Sequence, residues 1–172
     1  FPLGNMLKNE VRKQFDSDIT EEAIAMIEAN DAIRTSKSTV LFKNSWHKGV
    51  IGIVAARCVE KYYRPTVILT ESNNKITGSA RSVSGFDLYN AILECSDLLE
   101  KFGGHKYAAG LTLDISNLEQ FQRKFEEVVS STITEDMLTP VLEMDMPLHF
   151  DLITSKFITI LKQMAPFGPE NQ

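Results

Sequence analysis

Gly103-Gly104-His105-Lys106-Tyr107-Ala108-Ala109-Gly110 leads directly into the alternating run Leu111-Thr112-Leu113-Asp114-Ile115. The alternation predicts a strand over 111–115. What precedes it admits two readings. Glycine and alanine let another group approach the backbone closely, and glycine can turn its N–H groups into one concavity. An imidazole held there, His105, can donate to an anionic oxygen or move a proton. The same glycine pair is also ordinary punctuation: the cap of a preceding helix and a tight turn, with His105 merely satisfied nearby.

Working outward, residues 86–102 place Leu88, Ala91, Ile92, Cys95, Leu98, Leu99 and Phe102 on one helical face, which predicts a helix ending at the glycine pair. Residues 118–133 predict another, with Phe121, Phe125, Val128 and Val129 inward. Residues 38–42 read as a strand, and a helix follows over about 49–62 with Val50, Ile51, Val54, Cys58 and Val59 inward. Arg64-Pro65 ends that helix, and the apolar run Thr66–Thr70 suits a buried parallel strand. Asn73-Asn74 marks a turn, after which Lys75–Ser79 pairs back as a hairpin strand. The order strand-helix-strand-strand-helix-strand-helix predicts an α/β domain, a mixed β-sheet flanked by helices.

Both flanks differ in character. Residues 6–15 and 20–33 read as helices, the second N-capped by Thr20, yet they are too polar to form a core of their own and look like a connector. After Pro140 the alternating residues 141–146 predict a new strand, a helix follows over about 152–164, and Pro166-Phe167-Gly168-Pro169-Glu170-Asn171 closes the chain. The expected organisation is a helical connector over 1–34, an α/β domain over 35–137 and the start of a truncated β-rich domain over 138–172. The first residue is Phe1 rather than Met, so a piece of a longer protein is expected.

Composition narrows the function classes. With 172 residues, 43% hydrophobic and 24% charged, a core of useful size is available. The net charge of -5 argues against a free-standing nucleic-acid binder, although net charge hides a local basic groove. Cys58 and Cys95 sit in apolar patterns without metal or disulfide spacing, which points to buried thiols in a reducing, cytoplasmic setting. No apolar run approaches the ~18 residues of a membrane span, so no membrane partner is expected.

Two further segments share the character of the opening stretch: Trp46-His47-Lys48-Gly49-Val50-Ile51-Gly52 and Thr77-Gly78-Ser79-Ala80-Arg81-Ser82. Three such segments suggest one anion site. Gly49 and Gly52 open the helix after His47, and a helix N-terminus receives phosphate through its unpaired amides. His47 then either touches the ligand or, with Trp46, caps the helix. Arg81, following a strand between Ser79 and Ser82, offers a planar fork to phosphate beside two hydroxyl donors, or is a solvated surface arginine. Lys48 and Lys106 add positive potential or are simply exposed. His149 has no such neighbourhood. The nearest acids, Asp87 and Asp114, do not cluster with a histidine, so no metal-ligand set is visible. The segments read as the substrate half of a site.

Taken together, these three segments resemble the DHH-associated domain of the DHH phosphoesterase superfamily. Ala165-Pro166-Phe167-Gly168-Pro169-Glu170-Asn171 is similar to the entry of the OB-type nucleic-acid-binding domain in the superfamily's bacterial single-stranded-DNA-specific exonucleases. The resemblance implies an N-terminal DHH domain, absent here, whose Asp and His residues bind two Mn2+ or Mg2+ ions, with no metal held by this stretch. It implies that residues from Met6 to about Asn30 are the connecting helix, and that residues 138–172 begin the OB-type domain. Gly103, Gly104 and His105 match the family's Gly-Gly-His motif, and Arg81 matches the arginine of its Ser-Ala-Arg-Ser-like motif. The resemblance implies that Arg81 and His105 contact substrate phosphate, His105 in a supporting catalytic role. The candidate binding set is Arg81, Ser79, Ser82, Gly103, Gly104, His105, His47 and Gly49.

The implied activity is 5′-to-3′ hydrolysis of single-stranded DNA in repair and recombination. Single-stranded DNA is then the partner, with a single-strand-binding protein and a helicase as further candidates. Catalysis by this stretch alone is not expected, since the metal-binding motif is missing. The competing readings are a relative acting on short oligonucleotides or cyclic dinucleotides, against which the residues after Pro140 argue, and a non-catalytic binding module.

Overall fold

The computed structural model describes residues 2–142, 144 and 146–168. They form two units, one ending at Pro140 and the other beginning at Val141. The first contains α1 (Pro2–Glu28), α2 (Asp31–Thr35), β1 (Thr39–Phe42), α3 (Ile51–Tyr62), β2 (Thr66–Ser72), β3 (Lys75–Arg81), α4 (Leu88–Leu93), β4 (Lys101–His105), β5 (Ala108–Leu113) and α5 (Leu118–Thr132). The strands run in the order β1-β2-β3-β5-β4. β1 and β2 are parallel, and every other pairing is antiparallel. This is the α/β fold with a mixed sheet that the pattern predicts.

Alternation along the strands sends side chains to two layers. Val67, Leu69, Ile76, Ala80, Leu111 and Leu113 face one apolar cluster, closed by Phe121, Phe125 and Val129 of α5 and by Leu88 and Ile92 of α4. Leu41 and Ile68 face the other, closed by Val54, Ala55 and Cys58 of α3 and by Ala23 and Ile27 of α1. On this second face α3 lies over β2 and β3. The same face of β5 and β4 stays open, with Gly103, His105 and Gly110 exposed. An open strip of sheet beside a helix N-terminus is thus a consequence of the layering.

Local chemistry sets the boundaries. Tyr63 ends α3 in the left-handed conformation (φ 47°), its N–H donating to the Val59 carbonyl at 2.7 Å. Asn73 and Asn74 both take positive φ, 55° and 58°, as a two-residue hairpin between β2 and β3 demands. Cys58 and Cys95 are free and buried, and burial pushes each thiol up to about 11, so neither is a nucleophile near neutral pH.

The structure corrects four expectations. Residues 86–102 are not one helix: α4 stops at Leu93, a 3-10 turn covers Ser96–Leu98, and Phe102 lies in β4. Leu88, Ala91, Ile92, Cys95 and Leu98 are buried as expected and Leu99 and Phe102 partly so, but pairing of β4 with β5 overrides helical periodicity from Lys101 onward. Thr20 is no N-cap. It lies inside α1, and its hydroxyl donates to Asp16 Oδ1 at 3.5 Å, because the polar leader is rich in straight-chain helix formers and continues the same helix. The helix after His47 begins at Ile51, so Gly49 sits in the preceding turn. Finally, Val141, Leu142, Met144 and Met146 belong to no strand, for no neighbouring strand pairs with them among the described residues. The remaining residues of that expected strand, Glu143 and Asp145, lie outside the described residues, as do Pro169, Glu170 and Asn171 of the closing motif.

The second unit contains a 3-10 turn (Phe150–Leu152) and α6 (Ser155–Gln163), whose N-cap Thr154 accepts the Phe157 N–H at 3.2 Å. No helix among the described residues is long and apolar enough to cross a membrane.

Candidate functional site

Arg81 closes β3 rather than following it, and period-two alternation puts it with Ser79 on the α3 face. Its Nη1 donates to Ser79 Oγ at 3.1 Å and to the Ala80 carbonyl at 2.8 Å. Two arginines of this unit have acids to balance them, Arg57 with Asp16 at 2.5 Å and Arg34 with Asp31 at 2.7 Å, while the buried Arg64 is held by the Thr39 hydroxyl and the Arg34 and Ser36 carbonyls. Arg81 has no carboxylate partner among the described residues. It is a half-buried cation, held in place by neutral oxygens.

The first turn of α3 lies over it. A Cβ on Gly52 would come within 3.0 Å of both Arg81 Nη2 and Ser79 Oγ, so glycine here is what lets the helix approach the guanidinium. Val50, the N-cap of α3, supplies no capping side chain, so the Ile51 and Gly52 amides of the first turn have no side-chain cap, while the Ile53 N–H donates to the Val50 carbonyl at 2.9 Å. Between this turn and β3 opens a concavity of about 530 Å³, lined by Lys48, Gly49, Gly52, Ser79 and Arg81 among others.

The turn before α3 is tied down from behind. Trp46 is buried, its Nε1 donates to Glu22 Oε2 at 2.6 Å, and its carbonyl accepts the Thr70 hydroxyl at 2.7 Å. Lys43 also bonds Glu22, and with Trp46 it holds that carboxyl below its usual range. His47 is exposed. Its Nδ1 accepts the Gly49 N–H at 3.1 Å and its ring stacks on Phe15 at 5.7 Å. His47 therefore closes its own turn ahead of the Val50 N-cap rather than capping the helix, and this leaves Nε2–H as the ring's remaining donor.

Three strands bring the glycine pair into line with Arg81. Arg81 pairs with Ala108, which pairs with His105, and Ser79 pairs with Gly110, which pairs with Gly103. Directly opposed residues share a face, so all six lie on the face of the sheet that α3 covers only in part. With strands about 4.8 Å apart, Ser79 and Gly103 are separated by roughly 10 Å. Gly103 and Gly110 form the floor between. No atom lies within 4 Å of a Cβ placed on Gly103, and only the Gly78 carbonyl, at 3.8 Å, approaches one on Gly110. Nothing inside the fold requires glycine at either position.

Gly104 is different. Its φ is +150°, and a Cβ there would meet the Ala108 carbonyl oxygen at 2.2 Å, so the hairpin itself demands it. His105 repeats the arrangement of His47: its Nδ1 accepts the Tyr107 N–H at 3.3 Å, leaving Nε2–H to donate outward. Ser82 is occupied elsewhere. Its N–H donates to the Tyr107 carbonyl at 3.1 Å and its hydroxyl to the Phe86 carbonyl at 3.2 Å, which fastens the hairpin tip.

The structure thus gathers Ser79, Arg81 and Gly49 at the helix end, sets Gly103 and His105 along the same sheet face, and gives Gly104 and Ser82 supporting positions. Sequence reasoning missed Gly110, whose signal was its register against Gly103, and Gly52 as the residue lying over Arg81. The nearby acids have structural duties. Asp87 caps α4, and Asp114 accepts the Ser116 N–H and pairs with Lys75, which holds its carboxyl well below the usual range. His149 is exposed beside Asp151 in the second unit. Among the described residues no three His, Cys, Asp or Glu side chains come together as a metal site.

Residues 35–131 match the DHHA1 domain family. The chain is 37% identical over 165 residues to the single-stranded-DNA-specific exonuclease RecJ of Bacillus subtilis, covering 95% of the chain and 21% of that protein. Its fold is similar to that of RecJ from Thermus thermophilus solved in complex with Mg2+, at TM-score 0.79 and 26% identity, over 98% of the chain and 26% of the solved one. The structure of RecJ from the same organism with Mn2+ matches at TM-score 0.66 and 27% identity, over 76% of the chain and 19% of that structure. The chain therefore spans about a fifth to a quarter of the length of these relatives.

Proposed function

Since the chain belongs to the DHHA1 domain family, we propose that it is the phosphate-binding part of a metal-dependent single-stranded-DNA exonuclease. In this reading residues 1–34 are the connector, residues 35–137 hold the substrate, and residues 138–172 begin an OB-type domain. The observation that carries it is Arg81, a half-buried guanidinium without an acid, fixed beneath the uncapped first turn of α3. An anion seated there would gain a two-pronged charged hydrogen bond and the positive end of a helix.

The row of sheet positions extends the site. Arg81 reaches toward Gly52 of α3, away from β4, so its phosphate and one beside His105 are separate contacts. A span of roughly 10 Å suits a chain of phosphates better than a single one. Gly103 and Gly110 let a sugar–phosphate backbone lie against the strands, and His105 and His47 donate through Nε2–H. On the phosphate being cleaved, such fixed donors stabilise the charge that builds on its oxygens, at no cost of reorganisation during the reaction.

Among the described residues no side-chain cluster fits a divalent metal. The relatives solved with Mn2+ and Mg2+ are much longer, and in this reading the metal chemistry belongs to a part of the protein outside these 172 residues. A single-strand-binding protein and a helicase remain the proposed partners, in a cytoplasmic setting consistent with two free buried thiols.

Gly103→Val tests the floor. Valine favours strands, and the position is open, so the unfolding midpoint should hold or rise. Binding of a fluorescent 5′-phosphorylated oligothymidylate, followed by anisotropy at low salt, should weaken at least roughly tenfold. Unchanged binding would remove Gly103 from the contact surface.

A further inference from the structure

We propose that Tyr107 is a platform on which one nucleobase of the bound strand stacks, an inference that rests on the phosphate-binding reading above. Lys106 and Tyr107 form the two-residue tip between β4 and β5, at the end of the row made by Arg81, Ala108 and His105. That tip is held from three directions. The Leu88 N–H donates to the Lys106 carbonyl at 3.0 Å, the Ser82 N–H to the Tyr107 carbonyl at 3.1 Å, and the Tyr107 N–H to His105 Nδ1 at 3.3 Å. A hairpin tip so fastened carries its side chains on a fixed backbone.

The phenol nevertheless stands exposed on that tip. Tyr107 is 46% exposed and its hydroxyl has no hydrogen-bond partner among the described residues. The other tyrosines are occupied: Tyr62 donates to Glu28 at 2.6 Å, Tyr63 packs on the apolar core, and Tyr89 packs on Phe102. A cation lies beside the Tyr107 ring, Lys106 Nζ at 5.6 Å from its centroid. An aromatic face with a cation beside it, next to an imidazole donor and a bare glycine floor, is the combination that sequence-tolerant single-strand binding uses. The base is recognised by its π-face and the adjoining phosphates by His105 and Lys106. The consequence is specificity for nucleotide chains over plain polyphosphate, without preference among bases.

The test is anisotropy with oligothymidylates that each carry one abasic nucleotide at a different position. Wild type should lose roughly tenfold in affinity when the abasic nucleotide occupies one particular position. Tyr107→Ala should bind the intact strand that much more weakly and be indifferent to that position, and Tyr107→Trp should keep the preference. Arg81→Ala should weaken binding of every strand while keeping the positional preference. If Tyr107→Ala binds like wild type, or keeps the same positional loss, the platform is elsewhere and the phosphate site stands. If no strand binds wild type even at low salt, the phosphate reading fails and takes this inference with it.

Discussion

Replacing Arg81 with alanine is expected to weaken binding of 5′-phosphorylated single-stranded DNA by roughly 10- to 100-fold, the worth of a charged hydrogen bond of about 1.5–3 kcal/mol. The loss should shrink as salt is raised, because one phosphate contact fewer lowers the slope of log affinity against log salt by about 0.7 for a single strand. Arg81→Lys separates charge from shape. Lysine restores the charge but not the planar fork that Ser79 and the Ala80 carbonyl orient, so it should recover only part of the affinity. Stability should barely move, since the hydrogen bonds lost are local to one strand end. Anisotropy across a salt series, paired with a thermal melt, reads both quantities. A variant that binds as wild type does would remove Arg81 from the site.

Gly104→Ala should act through the fold instead. The residue sits at φ +150°, and its new methyl would lie 2.2 Å from the Ala108 carbonyl oxygen and 2.6 Å from the Ala109 Cα. Both obstacles are backbone of the paired strand, so relief requires β4 to part from β5. Backbone strain of about 1–3 kcal/mol and overpacking of a similar size add to about 2–6 kcal/mol. For a unit of this size, that lowers the unfolding midpoint by roughly 5–20 °C. Calorimetry should therefore separate two adjacent glycines: Gly103 tolerates a side chain and Gly104 does not. An unchanged midpoint for Gly104→Ala would mean that the hairpin is looser than its geometry implies.

This contrast also marks how far the amino-acid pattern could be read. The apolar run of β2, the Asn73-Asn74 hairpin and the α5 stripe carry their own local signals, and each lies where its pattern puts it. β4 carries none. Lys101-Phe102-Gly103-Gly104-His105 holds two poor strand formers, and the spacing of Leu98 and Phe102 fits a helix as well as a turn followed by a strand. Only pairing with β5 decides, and that is non-local. For the same reason the roles of the two glycines could not be told apart beforehand, nor could Ser82 be recognised as a fastener of the hairpin tip. Arg81, Ser79 and the turn at His47–Gly49 were legible as polar groups among small residues. That Gly52 lies over Arg81 depends on α3 packing across β3, which no local window contains.

The most direct test of the phosphate site is a titration of the 15N-labelled chain with 5′-phosphorylated oligothymidylate, following every backbone amide. Shifts should be confined to the open sheet face and the helix end beside it: Gly49, Gly52, Ser79–Arg81 and Gly103–Tyr107. Shifts gathered on α4 and α5, across the sheet from Arg81, or none at these positions under conditions where the strand is bound, would contradict it.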